Sequence, residues 1–172
     1  MPYIKRDIDF VYFRLDLADV RPDLLEPLVR HAEDSGIVLS TFGEMGAHSA
    51  MAIAQLHDLA LTVHGGPKWT PSWTIDEYMK RFGNFDLVHT AWFEGRYVGY
   101  TYLYEDPDVQ GRLNQCMTGV RPEMRRRGIG MALKSVGLIE AKRAGYNHVV
   151  TGCHQDNLAI INLNMKFGFQ DF

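Results

Sequence analysis

The chain has 172 residues, of which 46% are apolar and 23% are charged, and its formal net charge is −3. This is the size of one domain with a substantial core, which excludes a disordered or collagen-like chain. No stretch approaches the roughly 18 uncharged apolar residues of a membrane span, and two cysteines are too few for a disulfide framework. Composition therefore favours a cytoplasmic protein, and neither a membrane nor nucleic acid is expected as a partner.

In the first half of the chain, apolar periodicity and turn residues predict strands that alternate with helices. The predicted elements are a strand at Val11–Leu15, a helix from about Arg21 to Gly36 with Asp19 as its N-cap, a strand at Ile37–Thr41, a helix at about Ala47–Val63, a break at His64–Lys68 and a short helix from Ser72 or Thr74 to Arg81.

In the second half, three predicted strands precede a strand–helix–strand unit, and Glu94-Gly95 is typical of a tight hairpin turn. The predicted elements are strands at Leu87–Phe93, Arg96–Leu103 and about Asn114–Val120, a helix at Gly128–Ala144, a strand at His148–Cys153, a helix at Leu158–Phe167 and the start of a strand at Gly168–Phe172. Antiparallel hairpins that lead into such a unit predict one mixed α/β domain.

Positive charge is concentrated in residues 111–155, which contain eight Lys or Arg against two acids. A basic segment inside an acidic chain indicates a local anionic partner. The strongest signal in that segment is a strand that ends at Val120, followed by a loop and by a helix that begins at Gly128-x-Gly130. Such a junction directs free backbone N–H groups and the positive end of the helix dipole at one point.

Three consecutive cations, Arg125–Arg127, lie at this helix start and oppose the helix dipole unless an anion binds there. This arrangement favours pyrophosphate binding over a solvated run of charge. A P-loop is excluded because no G-x-x-x-x-G-K-[ST] occurs, and a dinucleotide fingerprint lacks its third glycine, since residue 133 is Leu133.

The motif Arg125-x-x-Gly128-x-Gly130, followed by Ala132-Leu133-Lys134, resembles the acetyl-CoA signature of the GCN5-related N-acetyltransferase (GNAT) family. The segment Asn157–Phe169 is similar to the second motif of that family, and the two motifs lie at the usual spacing. The chain also resembles the C-terminal half of tandem two-domain acetyltransferases.

The resemblance implies an N-acetyltransferase that moves an acetyl group from acetyl-CoA to a primary amine, on a small molecule or a peptide, by direct attack in a ternary complex. The implied fold is a central mixed sheet flanked by helices and splayed near Val120. Within one domain, residues 1–45 form an N-terminal strand and helix, residues 46–110 the acceptor-side helices and hairpin, and residues 111–172 the acetyl-CoA motifs.

The same resemblance implies the residues that contact coenzyme A. The pyrophosphate would lie on the loop and the first helical turn, and the pantetheine arm along the central strand and beside Asn157 and Asn164. The acyl carbonyl would lie near the end of that strand, polarised by a backbone N–H. The loop and helix residues are Arg125, Arg126, Arg127, Gly128, Ile129, Gly130 and Met131, and the strand residues are Met117, Thr118, Gly119 and Val120.

Two departures from the family pattern concern catalysis. The family often has a tyrosine acid at the position of Asn164, and an amide donates a hydrogen bond to the leaving sulfur without supplying a proton. In addition, residues 114–118 of the central strand carry no acid that could deprotonate the amine. A catalytically silent module that binds acyl-CoA therefore stays open as the alternative.

The acceptor side offers weaker candidates. Tyr100 and Tyr102 share a sheet face, Glu105 follows them, Glu44 precedes the second helix, and His154 lies beside the predicted site. Each also has a plain structural interpretation, as core, solvated loop or loop histidine.

No metal site is expected, because His57 and His64 lie two helical turns apart and the sequence offers no third ligand nearby. Cys116 and Cys153 are interpreted as small buried residues of neighbouring strands.

The last expectation concerns association. The last strand of the family fold normally pairs beside the strand after the basic helix, here His148–Cys153. Gly168–Phe172 supplies at most five residues for that edge, and Phe169 and Phe172 are bulky and apolar. An uncovered edge pairs readily with another chain, so a two-fold homodimer is expected. The alternative is that the N-terminal segment Ile8–Leu15 folds back to fill the edge.

Overall fold

A computed structural model describes residues 9–45, 49–63, 74–82 and 84–172 of the chain. The strands are β1 (Phe10–Asp16), β2 (Val38–Thr41), β3 (Val88–Phe93), β4 (Arg96–Glu105), β5 (Arg112–Val120), β6 (His148–His154) and β7 (Gln170–Asp171). The helices are α1 (Pro22–Asp34), α2 (Phe42–Met45), α3 (Ala50–Val63), α4 (Ile75–Phe82), α5 (Ile129–Arg143) and α6 (Leu158–Lys166), and short 3-10 turns cover Phe85–Leu87 and Pro122–Met124.

The strands form one mixed sheet in the order β2-β3-β4-β5-β6-β1-β7. Only the β5–β6 pair is parallel among the pairs in the described chain, because α5 connects these two strands as a crossover. Helix α5 packs on β4 and against α1, whereas α3 packs on β4 and against α4. The mixed α/β fold predicted from the sequence is confirmed.

Local sequence explains where several elements begin and turn. The β3–β4 turn places Glu94 at φ 45° and Gly95 at φ 84°, the left-handed pair of a type I′ hairpin. Helix α4 begins after Thr74, whose Oγ1 accepts from the Glu77 N–H at 3.3 Å while the Glu77 carboxylate accepts from the Thr74 N–H at 2.9 Å. This reciprocal capping box decides between the two predicted starts in favour of Thr74.

Two helix starts differ from the prediction. Asp19 is not the cap of α1, because the N-cap is Arg21, whose guanidinium pairs with Asp23 at 2.8 Å. Helix α3 begins at Ala50, and the Ser49 hydroxyl accepts from the Ala52 N–H at 3.3 Å. The helical turn α2 was not predicted, and the predicted break at residues 64–68 lies outside the described residues.

The N-terminal strand fills the edge that the sequence left open. Strand β1 pairs antiparallel with β6 from Phe10 opposite His154 to Asp16 opposite His148, and β7 pairs with the far side of β1. The expectation of an uncovered β6 edge is therefore wrong, and the alternative of a folded-back N-terminal segment is correct. Phe169 is also buried rather than exposed, and the reason given for a homodimer no longer holds.

We expect the β1–β6 junction to be a main source of stability, because Phe13 is 3% exposed and packs in the core with Leu15 and Val149. Phe13→Ala should lower the free energy of unfolding by about 3–5 kcal/mol. Leu24→Ala, at a side chain that is 63% exposed, should change it by less than about 0.5 kcal/mol. Urea unfolding measures both, and equal small effects would show that β1 contributes little.

Candidate active site

A cleft opens where the two parallel strands of the sheet separate. Strands β5 and β6 pair from Arg112 opposite His148 to Gln115 opposite Thr151, and beyond that point the ladder ends. The cavity between them has a volume of about 710 Å³, and Arg125 of the loop before α5 lines it. The splay predicted near Val120 is therefore present, and it begins at Gln115.

A bulge and two side chains mark the point of separation. Tyr102 lies opposite Met117 and Leu103 opposite Gln115, so Cys116 is the extra residue of β5. The Thr151 hydroxyl donates to the Gln115 carbonyl at 3.0 Å, which satisfies that acceptor with a side chain at the point where the ladder ends. Because a bulge bends its strand and strengthens its twist, β5 turns away from β6 here.

The loop at the open end of the cleft has the geometry of an anion site. Arg126 at φ 67° and Gly128 at φ 77° adopt left-handed conformations, and Gly128 is the N-cap of α5 without any side-chain cap. The first hydrogen bond of the helix runs from the Ala132 N–H to the Gly128 carbonyl at 2.9 Å. The three preceding N–H groups of α5 therefore point out of the helix end.

The three consecutive arginines are all exposed around this helix end. Arg125 lines the cavity, and its Nε donates to the Val120 carbonyl at 3.1 Å, which anchors the guanidinium beside the last residue of β5. The predicted strand residues Met117, Thr118, Gly119 and Val120 also line the cavity. Of the predicted loop and helix residues, Arg125 is the one that lines the cavity together with these strand residues.

Helix α6 supplies two asparagines to the wall of the cleft. Asn157 is its N-cap, and its side-chain oxygen accepts from the Ile160 N–H at 3.3 Å. Asn164 is 1% exposed, and its Nδ2 group is buried without a hydrogen-bond partner among the described residues. Both residues line the cavity.

Lys134 of α5 is the cleft residue that the sequence analysis missed. Its side chain is 2% exposed, and its Nζ donates to the side-chain oxygens of Gln115 and, at 2.8 Å, of Asn164. Burial lowers the pKa of Lys134 to about 7, and the nearby Cys153 thiol partly offsets that effect. A lysine inside the apolar run of α5 is the signal in the sequence that indicates its burial.

With this geometry established, comparison with known proteins identifies the family. The model of the acetyltransferase (GNAT) family matches residues 51–169. The chain belongs to this family. A search of curated proteins finds no match.

Solved structures share the GNAT fold. A GNAT protein from Sphaerobacter thermophilus is 17% identical with a TM-score of 0.66, and the match covers 95% of this chain and 48% of that one. A tandem GNAT protein from the clavulanic acid biosynthesis pathway is 21% identical with a TM-score of 0.63, at 95% and 50% coverage. The chain thus spans about half the length of these two proteins.

A shorter neighbour matches over most of its own length. Diaminobutyrate acetyltransferase from Paenibacillus lautus is 19% identical with a TM-score of 0.58, and the match covers 76% of this chain and 74% of that one. Its structure contains L-2,4-diaminobutyric acid and coenzyme A.

Four of the five acceptor-side candidates of this GNAT protein do not line the cleft. Tyr100 and Tyr102 are 1% and 7% exposed and pack in the core cluster that also contains Leu56 of α3. Glu105 lies opposite Leu113, at the end of β4 away from the cleft, where it accepts from the Tyr146 hydroxyl at 2.5 Å. Tertiary packing on α3 explains why the two tyrosines form core rather than a pocket wall.

Glu44 lies in a second cavity of about 340 Å³, formed with residues of α1 and α5. Its carboxylate accepts from the Ser40 hydroxyl at 2.6 Å and from the Thr41 N–H at 3.1 Å. These hydrogen bonds, that from Ser40 foremost, hold the pKa of Glu44 below its usual range. Glu44 is therefore a structural carboxylate at the start of α2.

His154 is the acceptor-side candidate that does line the cleft. Its Nδ1 accepts from the Asp156 N–H at 3.2 Å, and its ring meets the Phe10 ring edge-on at 6.0 Å.

No cluster of three metal-ligating side chains occurs within residues 9–45, 49–63, 74–82 and 84–172, and His64 lies outside them. No helix in that part of the chain is long and apolar enough to cross a membrane.

The two cysteines differ in exposure, which corrects the expectation that both are buried. Cys116, at the bulge, is exposed, whereas Cys153 is 7% exposed and burial raises the pKa of its thiol. We expect a disulfide reagent to modify Cys116 quickly, because this residue is exposed. Cys153 should react only after unfolding, because the thiolate is the reactive form and the buried Cys153 side chain stays protonated and shielded. Peptide mass spectrometry after timed labelling checks this, and equal rates for the two residues would contradict the described packing.

Proposed function

We propose that the chain is an N-acetyltransferase that transfers an acetyl group from acetyl-CoA to a primary amine by direct attack in a ternary complex. The observation that carries the proposal is the cleft between β5 and β6, which runs from the bulge along Met117–Val120 to Arg125, in the loop before the uncapped N-terminus of α5. An elongated donor with a pyrophosphate at one end and a thioester at the other matches this shape and charge.

The helix end supports the placement of the pyrophosphate. The N–H groups of Ile129, Gly130 and Met131 have no acceptor within α5, and the helix dipole adds partial positive charge at the same point. Arg125, Arg126 and Arg127, which precede this end and are exposed, would neutralise the phosphates.

The edge of β5 supports the placement of the pantetheine arm. Met117–Val120 pairs with β4 on one side, and the side toward β6 faces the cavity. Amides of the arm would pair with this edge like a short added strand, with Asn157 across the cleft. A backbone N–H of β5 would then polarise the acyl carbonyl, and the amine would attack it without a covalent enzyme intermediate.

The acceptor is proposed to be a cationic amine, because most of the acids of the chain lie outside the basic segment 111–155. The substrate of one neighbour, the diaminobutyrate acetyltransferase, is L-2,4-diaminobutyric acid, which carries two amino groups. The cytoplasm is the proposed location of the reaction.

Gly128→Asp should abolish most binding of coenzyme A, because it places a carboxylate where the pyrophosphate belongs. Gly128→Asn is the matched control, since Asn has nearly the same shape and both residues tolerate the left-handed φ of 77°. Calorimetry should show at least about a tenfold greater loss of affinity for Asp than for Asn, with binding that weakens at high salt. Equal affinity in the two variants would place the phosphates elsewhere.

A specific observation favours a second candidate, the catalytically silent acyl-CoA-binding module. Among the described residues that line the cleft, Asp156 is the one carboxylate, and its side chain is 84% exposed. Within the part of the chain that the structure describes, no buried carboxylate is thus positioned there to deprotonate the amine.

A thiol-release assay separates the two candidates. With acetyl-CoA and a panel of small amines, aminoglycosides and peptides, an N-acetyltransferase should release thiol above background with at least one acceptor. Initial rates against both substrates should intersect, because both bind before chemistry. Parallel rate lines would contradict direct attack, and tight binding of coenzyme A without thiol release on any acceptor would favour the silent module.

A further inference from the structure

Lys134 is a buried cation at the closed end of the cleft. Its side chain extends from α5 to the point where β5 and β6 separate, where Gln115 and Asn164 accept its hydrogen bonds. Its Nζ also lies 4.3 Å from the centroid of the Phe169 ring. A lysine is seldom buried in this way unless a counter-ion or a function requires it, because burial of an unpaired charge is costly.

The described residues supply no counter-ion to this lysine. None of the ion pairs of the described chain includes Lys134. The groups that face it from the neighbouring elements are the amide of Gln115 on β5, the thiol of Cys153 on β6, the amide of Asn164 on α6 and the rings of Phe167 and Phe169. Since burial raises the pKa of Cys153, that thiol is uncharged at neutral pH.

A second unused donor lies beside Lys134. The side-chain oxygen of Asn164 accepts from Lys134, and the Nδ2 group of the same amide is buried without a partner in the described chain. Two adjacent donors, one of them charged, therefore line the same cleft. This is the chemistry of a site for an anion that occupies the cleft only while a ligand is bound.

The position of the site in the cleft identifies the anion. Arg125 is anchored at the Val120 carbonyl, whereas Lys134 binds the Gln115 side chain, where β5 and β6 separate. The arm between the pyrophosphate and the sulfur of coenzyme A would run between these two points, along the edge of Met117–Val120 that faces the cavity. A coenzyme A molecule anchored at the loop would thus direct its sulfur towards Lys134.

We propose that Lys134 is the acid that protonates the sulfur of coenzyme A as the thiol leaves, while Asn164 Nδ2 donates a hydrogen bond to the same sulfur. The proposal rests on the proposed function. The amine nitrogen forms a bond to the acyl carbon, the carbon–sulfur bond breaks, and its electron pair goes to sulfur. Sulfur takes a proton from Lys134 Nζ, the new amide nitrogen releases one to solvent, and Lys134 regains one from solvent through the open cleft.

The acidity of the lysine suits this step. Burial lowers the pKa of Lys134 to about 7, below the value of about 8.5 of an ordinary thiol, so transfer of the proton to sulfur is favourable. An amide cannot supply a proton, so Lys134 would provide the acid that Asn164 does not, at the position where the family often has a tyrosine.

The test is the titration of the thiol of bound coenzyme A. Wild-type protein is saturated with coenzyme A, the thiolate is followed by its ultraviolet absorbance against pH, and the same protein with desulfo-coenzyme A is subtracted to remove the protein cysteines. The bound thiolate should begin to appear near neutral pH, below the pH at which that of free coenzyme A appears, because Lys134 and the thiol share one proton once the first of their two protons is lost. A bound thiol that titrates at or above the pH of free coenzyme A overturns the proposal with wild-type protein alone.

Variants assign the effect to the lysine. Lys134→Met removes the charge at similar volume, and Lys134→Gln also keeps a donor for the two amide oxygens. Both should shift the thiolate titration upward by about one pH unit or more, whereas Lys166→Met, at an exposed lysine of α6, should leave it unchanged. The rate constant kcat of Lys134→Met should fall at least about tenfold with little change in KM for acetyl-CoA, and its decline above neutral pH should disappear.

The outcomes separate this inference from the proposed function. Binding of coenzyme A with the same thiol titration in wild type and both Lys134 variants refutes the role of Lys134 and leaves the N-acetyltransferase standing. A shifted titration without acetyl transfer on any acceptor supports the thiolate site and refutes the enzyme. Absence of coenzyme A binding refutes both.

Discussion

The end of the β5–β6 ladder at Gln115 is the constraint on which the functional part of the molecule depends. A parallel pair that continued to Val120 would leave no space between the strands, and α5 would begin above a closed sheet. The bulge at Cys116 bends β5 while its pairing with β4 is kept on the other side. The Thr151 hydroxyl replaces the next ladder bond at the Gln115 carbonyl, so the opening leaves that buried acceptor satisfied.

The same point of separation organises a buried polar group. The Gln115 amide donates to the Thr101 hydroxyl at 2.9 Å and to the Thr118 hydroxyl at 3.2 Å, and its oxygen accepts from Lys134. Donors and acceptors of β4, β5 and α5 therefore meet at one residue. The network holds the lysine in place without a carboxylate, and this leaves its charge available to whatever enters the cleft.

Features decided by neighbouring residues could be predicted from the sequence. The hairpin at Glu94-Gly95, the start of α5 at Gly128 and the start of α6 after Asn157 follow from turn and capping chemistry within a few positions. These local features also belong to the two sequence motifs, so the family and the loop part of the candidate site could be predicted from the sequence.

Features decided by distant pairing could not be predicted. No local pattern indicates that β1 inserts between β6 and β7, that Cys116 is a bulge, or that Tyr100 packs under α3. The burial of Lys134 belongs to the same group, because its environment is built by β5 and α6 rather than by α5 itself. Sequence periodicity places a residue on a face, and tertiary contacts then decide what that face meets.

The insertion of β1 beside β6 has a consequence for the order of folding. Apart from the two-residue pairing of β7 with β1, every other pair of neighbouring strands lies closer together along the chain than β1 and β6 do. During synthesis β1 emerges first and waits for its partner until almost all other strands exist, so closing this long loop comes late and is costly in entropy. The core residues Phe13 and Leu15 stay exposed in the meantime. In a nascent chain, non-native strand pairing and binding by chaperones are therefore most favoured at this end of the sheet.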